Sequence, residues 1–208
     1  MDVILSAENV DLHECDAVVI GLFQDVKPLR GSSGWIDWRL NGMLSRFLIE
    51  KKLIGDWKET TLIPSQGRMT PRIILLVGLG KVNEYSYLRL RELSPYLLET
   101  LRKLNVSDIC FSLPFEEGTN VDCGKLAEVL LEGIADCLDL DPFSVDEGWI
   151  KGLRIFFGEG EDHFHEILLG VQTAKSILED RIQIRIFTPT MARNDSPEGR
   201  PRSFISLH

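Results

Sequence analysis

Arg30, Gly31, Ser32, Ser33 and Gly34 set a guanidinium, two hydroxyls and two glycines just ahead of a helical run of apolar residues. Backbone N–H groups at a helix start, with an arginine and hydroxyls beside them, can hold a phosphate or a carboxylate. The same five residues also suit a flexible entry loop ending in a helix cap, which is the plainer reading of such a stretch. A second group, EDHFHE from Glu161 to Glu166, is the densest set of potential metal ligands in the chain. Hydrolysis on zinc or manganese needs three or more convergent ligands and an open position. His163 and His165 are alternate residues, which converge only on an extended segment, whereas this segment opens a helix whose positive end suits Glu161 and Asp162. No metal site and no cofactor are expected.

The stretch RIILLVGLGK, Arg72 to Lys81, reads as a buried strand running into a glycine turn. Ile73 to Val77 are continuously apolar, as in a central parallel strand covered on both faces. A dinucleotide fingerprint would require glycine where the chain has Asn83, and a P-loop would require glycine at Leu75 and a hydroxyl residue at Val82. Gly78 and Gly80 are therefore read as a structural turn. No nucleophile stands out. Ser32, Ser33 and Ser65 lack a strand-to-helix elbow motif, and Cys15, Cys110, Cys123 and Cys137 form no Cys-x-x-Cys pair and have no suggestive histidine neighbour. The four cysteines read as buried free thiols. Asp16 and Asp37 are acids of the right type for a cleft, with no convergence visible in the sequence. Trp35, Trp38 and Trp57 offer aromatic surface, but Trp35 and Trp38 stand three apart on a helix, which by default makes a packed or subunit-facing stripe.

The elements that must position these residues alternate. Strands are expected at Met1–Leu5 (as an edge), Ala17–Leu22, Thr60–Pro64, the RIILLV run, Asp108–Leu113, Gly152–Phe157 and Ile182–Phe187. One amphipathic helix is expected from Trp35 through Leu48, capped by Ser33 or Gly34. Further helices follow from the spacing of Leu93, Leu97, Leu101 and Leu104, with Pro95 in the first turn, of Leu126 to Leu138, and of Ile167 to Leu178. Alternating strands and helices imply an α/β fold, a three-layer α/β/α sandwich around a mainly parallel or mixed sheet. One domain is expected over residues 1–187, with 188–208 as a flexible tail.

The chain has 208 residues, 44% hydrophobic and 26% charged, enough for a core without disulfides or a structural metal. No apolar stretch is long enough to span a bilayer, and the first residues lack a signal peptide's basic flank, so the expectation is a cytoplasmic protein without a membrane partner. A formal net charge of −9 disfavours nucleic acid. Arg181, Arg185, Arg193, Arg200 and Arg202 alternate with acids and prolines and read as part of a solvated tail.

The ordered series IDWRLNGMLSRFL (Ile36–Leu48), RIILLVGLGK, LLETLRKLNVSDICFSLP (Leu97–Pro114) and LAEVLLEGIADCLDLD (Leu126–Asp141) resembles the N-terminal domain of the leucyl aminopeptidase family. HEILLGVQTAKSILED, His165–Asp180, resembles the helix leading out of that domain. The resemblance implies a macro-like α/β/α fold and reaches to about Arg181. In that family the two-metal site and the Asn-Thr-Asp-Ala-Glu-Gly-Arg-Leu signature belong to the C-terminal domain, and no such sequence occurs here. It therefore implies a stand-alone, non-catalytic binding or assembly module, with a homo-oligomer or an aminopeptidase-like partner. In macro domains a glycine-rich loop entering a helix helps to hold the diphosphate of ADP-ribose, and Arg30–Gly34 takes a similar place in the order of elements. The usual three glycines are missing, with Asn41-Gly42 near the family-like position. Binding or processing of ADP-ribose or a related nucleotide is the alternative, and Arg30, Gly31, Ser32, Ser33 and Gly34 are the candidate anion ligands.

Overall fold

Alternate residues of Ala17–Leu22 (β2) serve two different cores, and this organises the molecule. Ala17 and Val19 join one buried cluster, while Val18, Ile20 and Leu22 join another on the opposite face of the sheet. A strand buried on both faces reads as a continuous apolar run, as β2 does. The computed structural model describes residues 1–115, 119–140, 147–158, 162–189 and 204–207.

The strands are Asp2–Ser6 (β1), β2, Thr60–Pro64 (β3), Ile73–Gly78 (β4), Asp108–Ser112 (β5), Arg154–Gly158 (β6), Arg185–Pro189 (β7) and Phe204–Leu207 (β8). They form one sheet in the order β3-β4-β2-β5-β6-β1-β7-β8. β3 and β8 run antiparallel to their neighbours and every other pairing is parallel, so the sheet is mixed. Helices Gly31–Arg39 (α1, with its C-cap Leu40) and Met43–Ile49 (α2) supply Ile36, Leu40, Leu44 and Leu48 to one core. On the other face, Tyr87–Lys103 (α3), Cys123–Leu140 (α4) and Phe164–Ile177 (α6) cover the sheet, α5 being the short helix Glu147–Gly152. The result is the expected α/β/α sandwich.

Several local expectations are corrected. β1 is no edge strand, because it pairs with β6 on one side and β7 on the other. The single helix expected over Trp35–Leu48 is two. Asn41 (φ 60°) and Gly42 (φ 74°) take left-handed backbone, and the Asp37 carboxylate caps α2, accepting from the N–H groups of Leu44 (2.8 Å) and Ser45 (3.1 Å) and from the Ser45 hydroxyl. Apolar periodicity persists across this break because both helices bury their stripe against the same face. α3 starts well before the expected point, with Ser86 accepting from the Arg89 N–H at 3.4 Å, so Pro95 falls inside the helix and not in its first turn. Leu90, Leu93, Leu97 and Leu101 are fully buried along this helix, and that packing holds it around the proline. β7 runs on through Thr188 and Pro189, and β8 pairs with it, so the region expected as a tail enters the sheet twice. Arg181 and Arg185 are tied down by Asp136 (3.0 Å) and Asp2 (2.7 Å) and are not tail residues. Arg193, Arg200 and Arg202 lie outside the described residues.

The Gly78–Gly80 turn is built into the frame. Gly78 N–H donates to the Glu59 carbonyl (2.7 Å), Leu79 N–H to Leu22 (2.8 Å) and Gly80 N–H to Gly55 (2.9 Å). With these amides donated to carbonyls, the turn has none of the three left for a phosphate. Gly80 has φ 73°, a left-handed conformation that costs an L-residue about 1–2 kcal/mol. Gly80→Ala should therefore lower the denaturant midpoint by an amount equivalent to about 1–2 kcal/mol, with an unchanged m-value. Full stability in that variant would contradict the structural reading of the turn.

Candidate functional site

β2 lies between β4 and β5. The chain leaving β2 builds α1 and α2 on one face, and the chain leaving β5 builds α4 on the other. Connections that part in opposite directions leave a crevice at the carboxyl ends of the strands. A cavity of about 90 Å³ lies there, lined by Leu22 and Phe23 at the end of β2, Ser112 to Phe115 at the end of β5, and Arg30, Gly31, Ser32 and Ser33.

Arg30 to Gly34, expected as an anion-binding loop, form the start of a helix. The helix begins at Gly31, with Arg30 in the extended N-cap position. Ser33 Oγ donates to the Arg30 carbonyl at 2.8 Å, and Gly34 N–H donates to the same oxygen at 3.2 Å. These bonds close a helical turn earlier than the expected cap at Ser33 or Gly34. Gly31, at φ 55°, permits the entry. The N-terminal turn of α1 thus meets the cavity with its positive dipole end, and Arg30 is exposed beside it. Gly34 lies away from this cavity and faces a neighbouring depression with Asp37, Trp38 and Ser45.

A second cavity of about 160 Å³ shares Gly31, Ser32 and Phe115 with the first. Its other walls include Asn9, Asp11, Trp35 and His163. The two make one cleft along the strand ends, crossed by Phe115 and the start of α1. Phe115 packs edge-on against His163, with ring centroids 4.7 Å apart. The three tryptophans do not make a common wall. Trp35 reaches the second cavity, Trp38 the outer depression, and Trp57 carries the Arg89 guanidinium at 4.9 Å.

The two candidate acids do structural work elsewhere. Asp37 caps α2. Asp16 precedes β2, at the end of the strand opposite the cleft, where it bonds Arg72 at 2.8 Å and accepts from the N–H groups of Ser107 and Asp108, each at 3.4 Å. Burial pushes the Asp16 carboxyl up, but the Arg72 bond and the two amides outweigh it and hold it below the ordinary carboxylate range. The four cysteines are buried free thiols, as expected. Burial raises Cys15 to about 12 and Cys137 to about 11. Burial and the Glu166 carboxylate raise Cys123 to about 12. None of these three is a thiolate nucleophile near neutral pH.

His163 and His165 do not converge. His163 stands at the N-cap of α6 against Phe115, while His165 is exposed, and Glu161 lies outside the described residues. The structure instead brings Cys123 at the start of α4 to His163 and Glu166, with one ligand atom of each within 4.8 Å of the others. Cys123, Ser112 and Phe115 do not stand out as site residues in the sequence. The apolar pattern locates the end of β5, but which strand ends adjoin the Arg30 segment depends on the strand order.

The strand order, the helices on both faces and the crevice at the carboxyl ends define a macrodomain-like fold. Solved structures agree. A tomato leucine aminopeptidase variant matches with a TM-score of 0.60 and 16% identity over 86% of this chain and 37% of that one. The Trypanosoma brucei macrodomain in complex with ADP-ribose matches with a TM-score of 0.59 and 17% identity, over 84% of this chain and 68% of that one. Residues 19–137 match the model of the cytosol aminopeptidase family, N-terminal domain, and the chain belongs to this family. A "Probable cytosol aminopeptidase" of Sulfurihydrogenibium sp. (strain YO3AOP1) is 27% identical over 151 residues, 73% of this chain and 29% of the relative. The chain spans less than a third of the length of the curated relatives it matches.

Proposed function

We propose that this chain is a non-catalytic binding module whose cleft at the carboxyl ends of β2 and β5 takes a phosphate-bearing small molecule. The observation that carries this reading is the placement of Arg30, Gly31, Ser32 and Ser33 on the wall of that cleft, where the positive end of α1 meets it. A cavity of about 90 Å³ suits a phosphate group but not a whole nucleotide, which would extend past Phe115 into the adjoining 160 Å³. Phe115 and Trp35 offer the aromatic surface on which a base can stack. ADP-ribose, which the Trypanosoma brucei neighbour holds, combines these features and is the first ligand to test. Inorganic pyrophosphate, ADP and ADP-ribose should each raise the melting temperature in a thermal-shift assay, ADP-ribose the most. No shift with any of the three would remove the reading.

A second reading, assembly, is favoured by Trp35, Trp38 and Ile49 on α1 and α2, which are 60%, 68% and 80% exposed. A homo-oligomer or an aminopeptidase-like partner would cover them. Light scattering on the wild type and Trp38→Ser tests this, with a smaller species expected for the variant.

The chain should release no amine from a leucyl amide, with or without added zinc or manganese, because the family's ligand-bearing signature is absent from these residues. Metal-dependent turnover lost in His163→Ala would overturn that expectation. A cytoplasmic location is part of the same proposal. Among the described residues no helix is long and apolar enough to cross a membrane.

A further inference from the structure

Gly124 of α4 and Gly170 of α6 meet backbone to backbone. A Cβ on Gly170 would lie 1.9 Å from the Gly124 carbonyl oxygen, and one on Gly124 would lie 2.5 Å from the Glu166 carbonyl oxygen. Contact this close fixes the start of α4 against the first turns of α6, and three side chains of metal-ligating type converge at that junction. Cys123 begins α4 and is buried, His163 is the half-buried N-cap of α6, and the exposed Glu166 belongs to the first turn of α6. Cys123 Sγ donates to Glu166 Oε2 at 2.8 Å.

We infer that Cys123, His163 and Glu166 form a binding site for a divalent zinc-type cation at the rim of the cleft. A thiolate, an imidazole and a carboxylate are the three donor classes that zinc accepts, and a sulfur donor disfavours magnesium and calcium. Three protein ligands leave a fourth tetrahedral position for water or an added ligand. Zinc bond lengths place neighbouring sulfur and oxygen ligands roughly 3.5 Å apart, so the Cys123–Glu166 pair has to open slightly, which the exposed Glu166 side chain permits. The cation takes the place of the proton now shared by the pair, so one proton leaves Cys123 as the metal–sulfur bond forms. His163 also lines the second cavity and touches Phe115, which puts the site beside the cleft. A failure of anion binding leaves the cation site standing, because none of its ligands belongs to the Arg30 segment.

Cobalt(II), a spectroscopic stand-in for zinc, tests it on tag-free full chain stripped with EDTA. One equivalent should give tetrahedral ligand-field bands and a near-ultraviolet sulfur-to-cobalt band. Cys123→Ser should lose the sulfur band, with circular dichroism confirming the fold. Glu166→Gln changes an exposed side chain and keeps the reading testable if the cysteine variant does not fold. It and His163→Gln should keep the sulfur band but weaken binding by more than the roughly 10–100-fold typical of losing an outer-shell partner. No sulfur band with wild type, a band that survives in folded Cys123→Ser, or unchanged affinity in both Glu166→Gln and His163→Gln would overturn the site.

Discussion

Ile36→Asp should not yield a folded protein. Ile36 is completely buried in the core formed by α1, α2 and one face of β2 and β4, among Ile20, Leu22, Leu40, Leu44 and Ile74. The substitution removes an apolar side chain, which costs about 2–5 kcal/mol when truncated to alanine, and places a carboxyl group among residues that offer it no partner. Small domains have only about 5–15 kcal/mol in total. Loss of the cooperative thermal transition, or recovery only from inclusion bodies, is the expected result. Ile36→Val is the control and should cost about 0.5–1.5 kcal/mol. A well-folded Ile36→Asp would mean that α1 is not anchored to the sheet as described, and the cleft would lose its wall.

Gly78→Ala should be nearly as damaging. The added Cβ would lie 1.9 Å from the Asp56 carbonyl oxygen and 2.8 Å from two backbone carbons, so no side-chain rotation relieves the clash. The backbone must separate where Lys58 N–H donates to the Gly78 carbonyl (2.9 Å) and Gly78 N–H to the Glu59 carbonyl. Overpacking costs roughly 1–3 kcal/mol, and a clash between two backbones belongs at or above the upper end of that range. Urea unfolding checks it. The Gly80 substitution acts through backbone conformation alone and should cost less, so the order of the two variants is itself informative. Equal midpoints for Gly78→Ala and wild type would contradict the packing of the Gly55–Glu59 segment against the turn.

Much of the frame was legible because burial leaves a period in the sequence. Ala17–Leu22 and Thr60–Pro64 were expected at their observed limits, and the leucines of α3 marked its buried face. The break at Asn41-Gly42 was hidden by that same regularity, since α1 and α2 bury one continuous stripe and the deciding interaction is the Asp37 cap. β1 was misplaced as an edge because position within a sheet depends on strands far away in sequence. At the candidate site, Arg30 to Ser33 stand out by their chemistry. Phe115 on the facing wall could not, because nothing local ties the end of β5 to the start of α1. Cys123 looked like an ordinary buried thiol, and only the Gly124–Gly170 contact sets it beside His163 and Glu166.

If the start of α1 holds an anionic group through Arg30, calorimetric titration of wild type against Arg30→Ala will register the arginine's share of the affinity. Arg30 is exposed, so its loss should leave the fold intact. A hydrogen bond to a charged group contributes about 1.5–3 kcal/mol, which corresponds to a loss of roughly 10–100-fold in affinity. Saturable binding of pyrophosphate or ADP-ribose is expected for the wild type, with a loss of that size in Arg30→Ala. Absence of binding at about millimolar ligand, or equal affinity in the two proteins, would contradict it.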